Sequence, residues 1–257
     1  MTPRVHLFGP VQLQGPGGIH QPANRIRRGV LTVLAVEHTF VTADQLVERC
    51  WENPTASAAG NLRTHVAALR QVVRHVDFDG ELVQSCRGAG YRLNPDIDSD
   101  WQRMTAHLER ARQLLREHQF TMSLQKCRES SALWRGDFGV DLPATSWLQQ
   151  QADSLTRAKR SLAHISCAAR LGLNDPHNAL AQLQGIVSEP DRDVTSWKLW
   201  IASQFLDGNV SGSLQGIAKC RQAFLDLGMD VPHAVSRLHS PILENQREKV
   251  QRLAVEL

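Results

Sequence analysis

The chain has 257 residues, of which 42% are apolar and 21% charged, and its formal net charge at pH 7 is +3. This length allows two domains of ordinary size, each with a buried core. A net charge this small neither requires nor excludes a polyanionic partner. No stretch approaches the roughly 20 apolar residues of a membrane helix, and the first thirty residues lack a signal-peptide pattern. These features predict a soluble, cytoplasmic protein.

Motifs of enzymes and metal sites are missing from the sequence. The five cysteines are far apart and form no CxxC pair, and no HExxH is present among the eleven histidines. A phosphate-binding Gly-Lys-Ser/Thr loop and a Gly-x-Ser-x-Gly elbow are also absent. We therefore expect reduced cysteines, no cofactor, no metal and no enzymatic activity.

The N-terminal part mixes short strands with helices. Val5–Phe8 and Val11–Gln14 are strand candidates around Gly9-Pro10, and Gly15–Gly18 reads as the next turn. A first helix is predicted from about Asn24 to Val36 by its apolar spacing. Thr42 and Gln45 fit a capping box, which would begin a second helix.

A third helix is predicted from a Ser57 cap to about His75. Leu62, Val66, Leu69 and Val73 recur at helical spacing and predict one narrow buried stripe. The opposite face carries Arg63, Thr64, Ala67, Gln71 and Arg74, with Arg70 and His75 at its edges. Residues 53–76 contain no Asp or Glu, which suits a helix that approaches phosphates. Chance composition is the alternative explanation for this acid-free stretch.

Residues 82–93 predict a hairpin around a Gly-x-Gly turn, with Arg87 just before the turn and Arg92 beyond it. An arginine at a hairpin tip suits a narrow minor groove, where negative potential is concentrated. An ordinary surface hairpin with a solubilising arginine is the alternative. It would explain the glycines but not the acid-free helix immediately upstream.

Residues 82–93, LVQSCRGAGYRL, resemble the wing signature of OmpR-type winged helices. Residues 42–48 and 57–70 resemble helices two and three of the Streptomyces antibiotic regulatory proteins (SARPs). Ala132–Gly136, Asp141-Leu142 and Trp147-Leu148 are similar to the opening of the bacterial transcriptional activator domain that accompanies that winged helix. The sequence departs from the pattern at Gly60, Ala67 and Ala68.

The resemblance implies a pathway-specific activator of a secondary-metabolite, antibiotic-type gene cluster. Such a protein would bind double-stranded DNA at direct repeats near a −35 region as a homodimer and recruit RNA polymerase holoenzyme. Helix three would enter the major groove and the wing the minor groove. The predicted DNA-binding residues are Arg63, Thr64, Arg70, Gln71, Arg74, Arg87 and Arg92.

After Trp101 the pattern is helical throughout. Gly172 and Gly208 lie 36 residues apart, each between two helical patterns, and His118 holds the corresponding earlier turn. This predicts a tetratricopeptide-like array, with a plain helical bundle as the alternative. Trp197 and Trp200 are predicted to be core residues.

The predicted fold is therefore an α+β winged helix-turn-helix of OmpR type over residues 1–97. An all-α tetratricopeptide-like helical-repeat domain would follow over residues 98–257, with residues 94–100 as a linker. A helical interaction scaffold whose winged helix binds protein instead of DNA remains the functional alternative.

Overall fold

The computed structural model describes residues 2–55, 57–184 and 193–257. The chain divides into two compact units. One consists of Met1–Ala106 with Ser130–Thr156, and the other of His107–Glu129 with Arg157–Leu257. The functional boundary that we place at residue 97 stays a prediction.

The first unit begins with a small sheet. Its strands are β1 (Arg4–His6), β2 (Gln12–Gly15), β3 (Gly18–His20) and β6 (Asp98–Ser99), in the order β3-β2-β1-β6. Neighbouring strands are antiparallel except β1 and β6, which run parallel. The sequence indicated the first two strands but not β3, because Gly15–Gly18 reads as a turn and the three residues after it are too short to show alternation.

Three helices and a hairpin follow the third strand. They are α1 (Arg25–Glu37), α2 (Ala43–Cys50), α3 (Ala58–Val72) with a 3-10 turn at Val73–Val76, β4 (Val83–Cys86) and β5 (Gly90–Leu93). Asn24 caps α1 by accepting from the backbone N–H of Ile26. The predicted Thr42–Gln45 capping box is present at the start of α2. The winged-helix topology is thus confirmed.

The stretch predicted as a linker is packed instead. Ile97 and Asp100 have no exposed surface, and β6 pairs with β1. The Asp100 carboxylate accepts from the backbone N–H groups of Leu7 and Phe8 at 2.8–3.0 Å. The acidic, Pro-containing composition of residues 94–100 suggested an exposed segment. The Asp100 carboxylate instead accepts hydrogen bonds from two backbone amides just after β1, which would otherwise be buried without partners.

The remaining elements in the described ranges are helices. The helices are α4 (Asp100–Arg116), α5 (Phe120–Ser131), α6 (Ser146–Gly172), α7 (Pro176–Gln184), α8 (Val194–Leu206), α9 (Val210–Leu225), α10 (His233–Leu243) and α11 (Arg247–Val255). In the second unit α8 is central and packs against α7, α9, α10 and α11. Trp197 on α8 is 4% exposed, which confirms it as a core residue. Trp200 is half-buried and meets the Trp197 ring edge-on, with centroids 6.3 Å apart.

Residues with left-handed backbone conformation mark the turns between these helices. They are His118, Gly139, Asn174, Gly208, Gly228 and Asn245, with φ between 53° and 94°. His118 and Gly208 occupy the predicted turns. Gly172 ends α6 before the turn to α7, as predicted, and Asn174 takes the left-handed position within that turn. A side chain at Gly172 would lie 2.6 Å from the Phe120 ring, so close packing explains this glycine.

Candidate nucleic-acid interface

Helix α3 has one buried face and one exposed face. Leu62, Val66 and Leu69 are at most 1% exposed and form the predicted core stripe. The residues predicted to be exposed are all exposed: Arg63, Thr64, Ala67 and Gln71 on α3, and Arg74 in the 3-10 turn that follows it. The exposed face therefore presents guanidinium, hydroxyl and amide groups and no carboxylate.

The start of α3 differs from the expected cap. Ser57 occupies the N-cap position, but its side chain accepts no backbone hydrogen bond. Its backbone is helical, and its hydroxyl lies 3.0 Å from the Thr55 hydroxyl instead. A side-chain cap needs an extended N-cap backbone, which Ser57 does not adopt, so this part of the prediction is wrong. Gly60 lies inside the helix, in open space.

Arg70 connects α3 to the hairpin. Its Nε donates to the Val83 carbonyl oxygen at 2.9 Å and lies 2.9 Å from a Glu81 carboxylate oxygen. This guanidinium is partly buried and fixes the end of α3 against β4. We predicted a DNA contact for Arg70. That contact stays a prediction, while the structure shows that its Nε already positions the hairpin.

The hairpin has a three-residue tip, Arg87-Gly88-Ala89, between the paired residues Cys86 and Gly90. Gly88 and Gly90 have φ of 82° and 101°, which favours glycine at both positions. A side chain at Gly90 would meet the Val41 carbonyl oxygen at 2.1 Å. The glycines therefore shape the tip and let it approach the α1–α2 connection, while the Arg87 side chain is exposed.

Two sets of contacts hold the hairpin in place. Val41 and Tyr91 exchange backbone hydrogen bonds of 2.8 and 2.9 Å. The Arg92 guanidinium lies over the Phe40 ring, 4.6 Å from its centroid, and Nε donates to the Gln84 side chain at 2.9 Å. Arg92 is thus held near the base of the wing, and its predicted contact with DNA stays a prediction.

The electrostatics of this surface are set by arginine. In the described part of the chain, Arg63, Arg74 and Arg87 form no ion pair; we call these three the interface arginines. His65 also lies on α3, and its ring is 5.9 Å from the Trp51 ring, measured between centroids. Burial, with the nearby charge of Arg27, lowers its pKa.

A contrasting set of arginines lies elsewhere in the first unit. Arg25 donates to the Leu142 carbonyl oxygen, and Arg28 donates to the Asp141 carbonyl at 2.9 Å and contacts its carboxylate at 3.0 Å. Arg135 donates to the Pro10 carbonyl oxygen and the Gln12 side chain. We call these three the held arginines. Sequence reasoning did not assign them, although Asp141-Leu142 stood in the motif that carried the resemblance.

Residues 130–156 belong to the first unit and complete its core. The Trp134 ring stacks on Phe8 with centroids 4.0 Å apart and an interplanar angle of 7°. The Arg135 backbone N–H donates to the Phe8 carbonyl oxygen at 3.1 Å. A side chain at Gly29 would lie 3.1 Å from the Pro143 ring, so the same segment packs closely on α1.

A three-helix unit with a two-stranded wing and an acid-free exposed helix face, followed in the sequence by a helical array, is typical of a DNA-binding transcription regulator. The chain matches two family models, "Transcriptional regulatory protein, C terminal" over residues 27–93 and "Bacterial transcriptional activator domain" over residues 99–243. The second match covers more than half of the sequence. The chain belongs to the bacterial transcriptional activator domain family and has the SARP architecture.

Among solved structures, the chain is similar to EmbR of Mycobacterium tuberculosis in complex with a low affinity phosphopeptide. The TM-score is 0.85 at 20% sequence identity, over 98% of this chain and 69% of that one. This likeness confirms the fold. No curated protein matches the sequence significantly. No helix in the described ranges is both long and apolar enough to cross a membrane.

Four of the five cysteines are buried and Cys86 is exposed; none forms a disulfide. Burial raises the pKa of Cys50, Cys127 and Cys167 to about 12. These thiols stay protonated at neutral pH and are poor nucleophiles. Among the described residues no group of three His, Cys, Asp or Glu side chains is placed to hold a metal ion.

Proposed function

We propose that this regulator activates transcription by binding direct repeats near a promoter's −35 region. In this proposal α3 enters the major groove and the hairpin tip enters the minor groove. The DNA-binding set is Arg63, Thr64, Arg70, Gln71, Arg74, Arg87 and Arg92. The observation that carries the proposal is that the interface arginines are exposed and have no carboxylate partner among the described residues.

The chemistry of these side chains favours distinct roles. Arg63 lies on α3 and Arg74 in the 3-10 turn that follows it, eleven residues further on. In this proposal both guanidinium groups meet the walls of a single groove. Thr64 and Gln71 lie between them and offer a hydroxyl and an amide to base edges. Arg87 stands at the tip of the wing, where a guanidinium suits the narrow minor groove.

Two protomers would occupy adjacent repeats and together recruit RNA polymerase holoenzyme. The support for this is the bacterial transcriptional activator domain, whose match begins at residue 99. The regulated genes in this proposal form a secondary-metabolite cluster. Finding such a cluster beside the gene would support that assignment, and finding only housekeeping genes there would count against it.

The test combines binding and transcription. DNA fragments from promoters beside the gene are used in gel shifts at several salt concentrations. A DNA-binding face of six to ten phosphate contacts loses about 10³–10⁵ in affinity between roughly 50 and 200 mM salt. An affinity that does not change with salt concentration would instead favour the alternative function, a helical scaffold whose winged helix binds protein. Purified transcription with polymerase holoenzyme then shows whether occupancy raises transcript yield.

A further inference from the structure

Two histidine rings stack where the third strand meets the end of α3. His20 on β3 and His75 in the 3-10 turn lie with ring centroids 4.4 Å apart and an interplanar angle of 26°. The backbones also approach closely here, since the Gly17 N–H donates to the Val76 carbonyl oxygen at 3.0 Å. A side chain at Gly15 would lie 2.5 Å from the same oxygen. The 3-10 turn is therefore fixed against the β2–β3 connection.

His75 lies at the edge of the face that carries Arg63 and Arg74, yet the proposed DNA-binding set does not use it. Its side chain is exposed, while His20 is half-buried. Among the described residues, neither ring of this pair forms an ion pair or a side-chain hydrogen bond. Other histidines of the described ranges do lie within 4.0 Å of a carboxylate oxygen: His6, His107, His164 and His177. The His75 ring is thus available to a partner outside the chain.

The charges around the pair are mostly positive. Strand β2 has no ionisable side chain, and β3 contributes only His20 itself. The other ionisable groups on the packed elements are Arg63, His65 and Arg70 on α3, Arg74 in the 3-10 turn and Asp77 just after it. Asp77 forms no ion pair with either histidine, and burial, with the nearby His75, lowers the pKa of His20. A proton on His75 therefore has no counterion in the described part of the chain.

We infer that His75 is a further DNA contact, whose protonated ring binds a backbone phosphate, while His20 positions that ring by stacking. This inference rests on the DNA-binding function proposed for α3 and the wing. An imidazolium donates a charge-assisted hydrogen bond to a phosphate oxygen. Because the phosphate favours the charged ring, DNA binding takes up a proton. The affinity for DNA therefore rises as the pH falls through the range in which histidine changes its charge.

The test is a fluorescence-anisotropy titration of the full chain with DNA between about pH 5.5 and pH 8. The probes are a promoter fragment from beside the gene and a mixed-sequence duplex of the same length. On acidification, the affinity of the unchanged chain should rise about threefold to tenfold more than that of His75→Gln, which cannot take up the proton. The salt slope should steepen by about 1 unit more in the chain than in this variant.

Further variants separate a phosphate contact from a structural role. His75→Lys carries its charge at every pH of the titration, so at pH 8 it should bind DNA more tightly than the unchanged chain and show the flatter profile of His75→Gln. His20→Ala removes the ring on which His75 rests and should reduce the gain on acidification, whereas His20→Phe keeps a ring and should preserve it. His239→Gln is the matched control, because His239 is an exposed histidine of α10 in the second unit.

A phosphate carries no sequence information, so the gain on acidification should appear with both DNA probes. A pH profile of His75→Gln that matches that of the unchanged chain would overturn the inference, and so would a gain confined to the promoter fragment. The proposed DNA-binding function stands in both cases if affinity still falls with salt and in the variant that combines Arg63→Ala with Arg74→Ala. Absence of DNA binding at every pH would overturn both the function and the inference.

Discussion

The interface arginines and the held arginines are the same residue type in one compact unit, yet their surroundings are opposite. Arg28 is surrounded by two backbone carbonyls and a carboxylate, and its side chain is 12% exposed. Arg63, Arg74 and Arg87 are exposed and have no such partners in the described ranges. The first set stabilises the fold and the second is available to a polyanion, so arginine content alone does not indicate DNA binding. Each prediction below tests this division.

The largest effect is expected on the buried face of α3. Leu69 has no exposed surface, and Leu69→Ala should lower the free energy of unfolding by about 2–5 kcal/mol, because it removes apolar contacts and leaves a cavity. Urea unfolding followed by circular dichroism measures this change. A loss below about 1 kcal/mol would mean that the buried stripe has been assigned to the wrong face.

A pH-dependent effect is expected from Asp100, close to the held arginines. Burial raises its pKa from 3.8 to about 6, so protonation favours the folded state. The contribution of this carboxyl group to the free energy of unfolding is complete below about pH 4 and is lost as the pH rises through about 6. Relative to Asp100→Asn, the free energy of unfolding should therefore fall by about 3 kcal/mol between about pH 4 and pH 7. Parallel pH profiles of the chain and the variant would contradict this.

The next effect separates the two sets of arginines. Arg28→Ala leaves the Asp141 carboxylate half-enclosed without its cation, and we expect a loss of about 2 kcal/mol in stability. The folded variant should keep its DNA affinity and salt dependence. A variant with unchanged stability but weakened DNA binding would place Arg28 among the interface arginines.

Much of this could be predicted from local patterns. Leu62, Val66 and Leu69 repeat at helical spacing, so both the buried stripe and the exposed face of α3 follow from the sequence. The Gly-x-Gly turn and the Thr42–Gln45 box are also local signals, and the structure shows both. Contact between these residues and DNA remains a prediction.

Long-range contacts could not be predicted in the same way. Asp141 meets Arg28 across more than a hundred residues, and Trp134 stacks on Phe8, with no periodicity to connect them. The packing of residues 94–100 also depends on a partner, β1, that is distant in sequence. Ser57 shows a different limit, because its residue type suits a cap but its backbone is helical.

A smaller effect, on binding alone, is expected from Arg63→Ala combined with Arg74→Ala. Both side chains are exposed, so stability should change by less than about 0.5 kcal/mol. Loss of two phosphate contacts should lower the salt slope by about 2 units and weaken operator binding by about 2 kcal/mol. Arg110→Ala on α4 serves as the charge control. Intact operator binding in the double variant would show that another face of α3 meets the DNA.

The smallest effect is expected from Arg87→Ala, because it removes one guanidinium at the tip of a hairpin whose shape is fixed elsewhere. Gly88 and Gly90 set the turn, and Tyr91 anchors it to Val41, so the variant should keep the wing conformation and the stability of the chain. Operator affinity should fall by about 1 kcal/mol, and the salt slope should decrease by about 1 unit. Because the arginine would read minor-groove width, the loss should be larger on an operator with an A-tract under the wing than on one with a G·C-rich flank. Gel shifts with the two operators, performed on the unchanged chain and on Arg87→Ala at several salt concentrations, measure both the affinity and the salt slope. An equal loss on both operators would make Arg87 a plain phosphate contact, and an unchanged affinity and salt slope would remove it from the interface, leaving α3 as the DNA-binding surface.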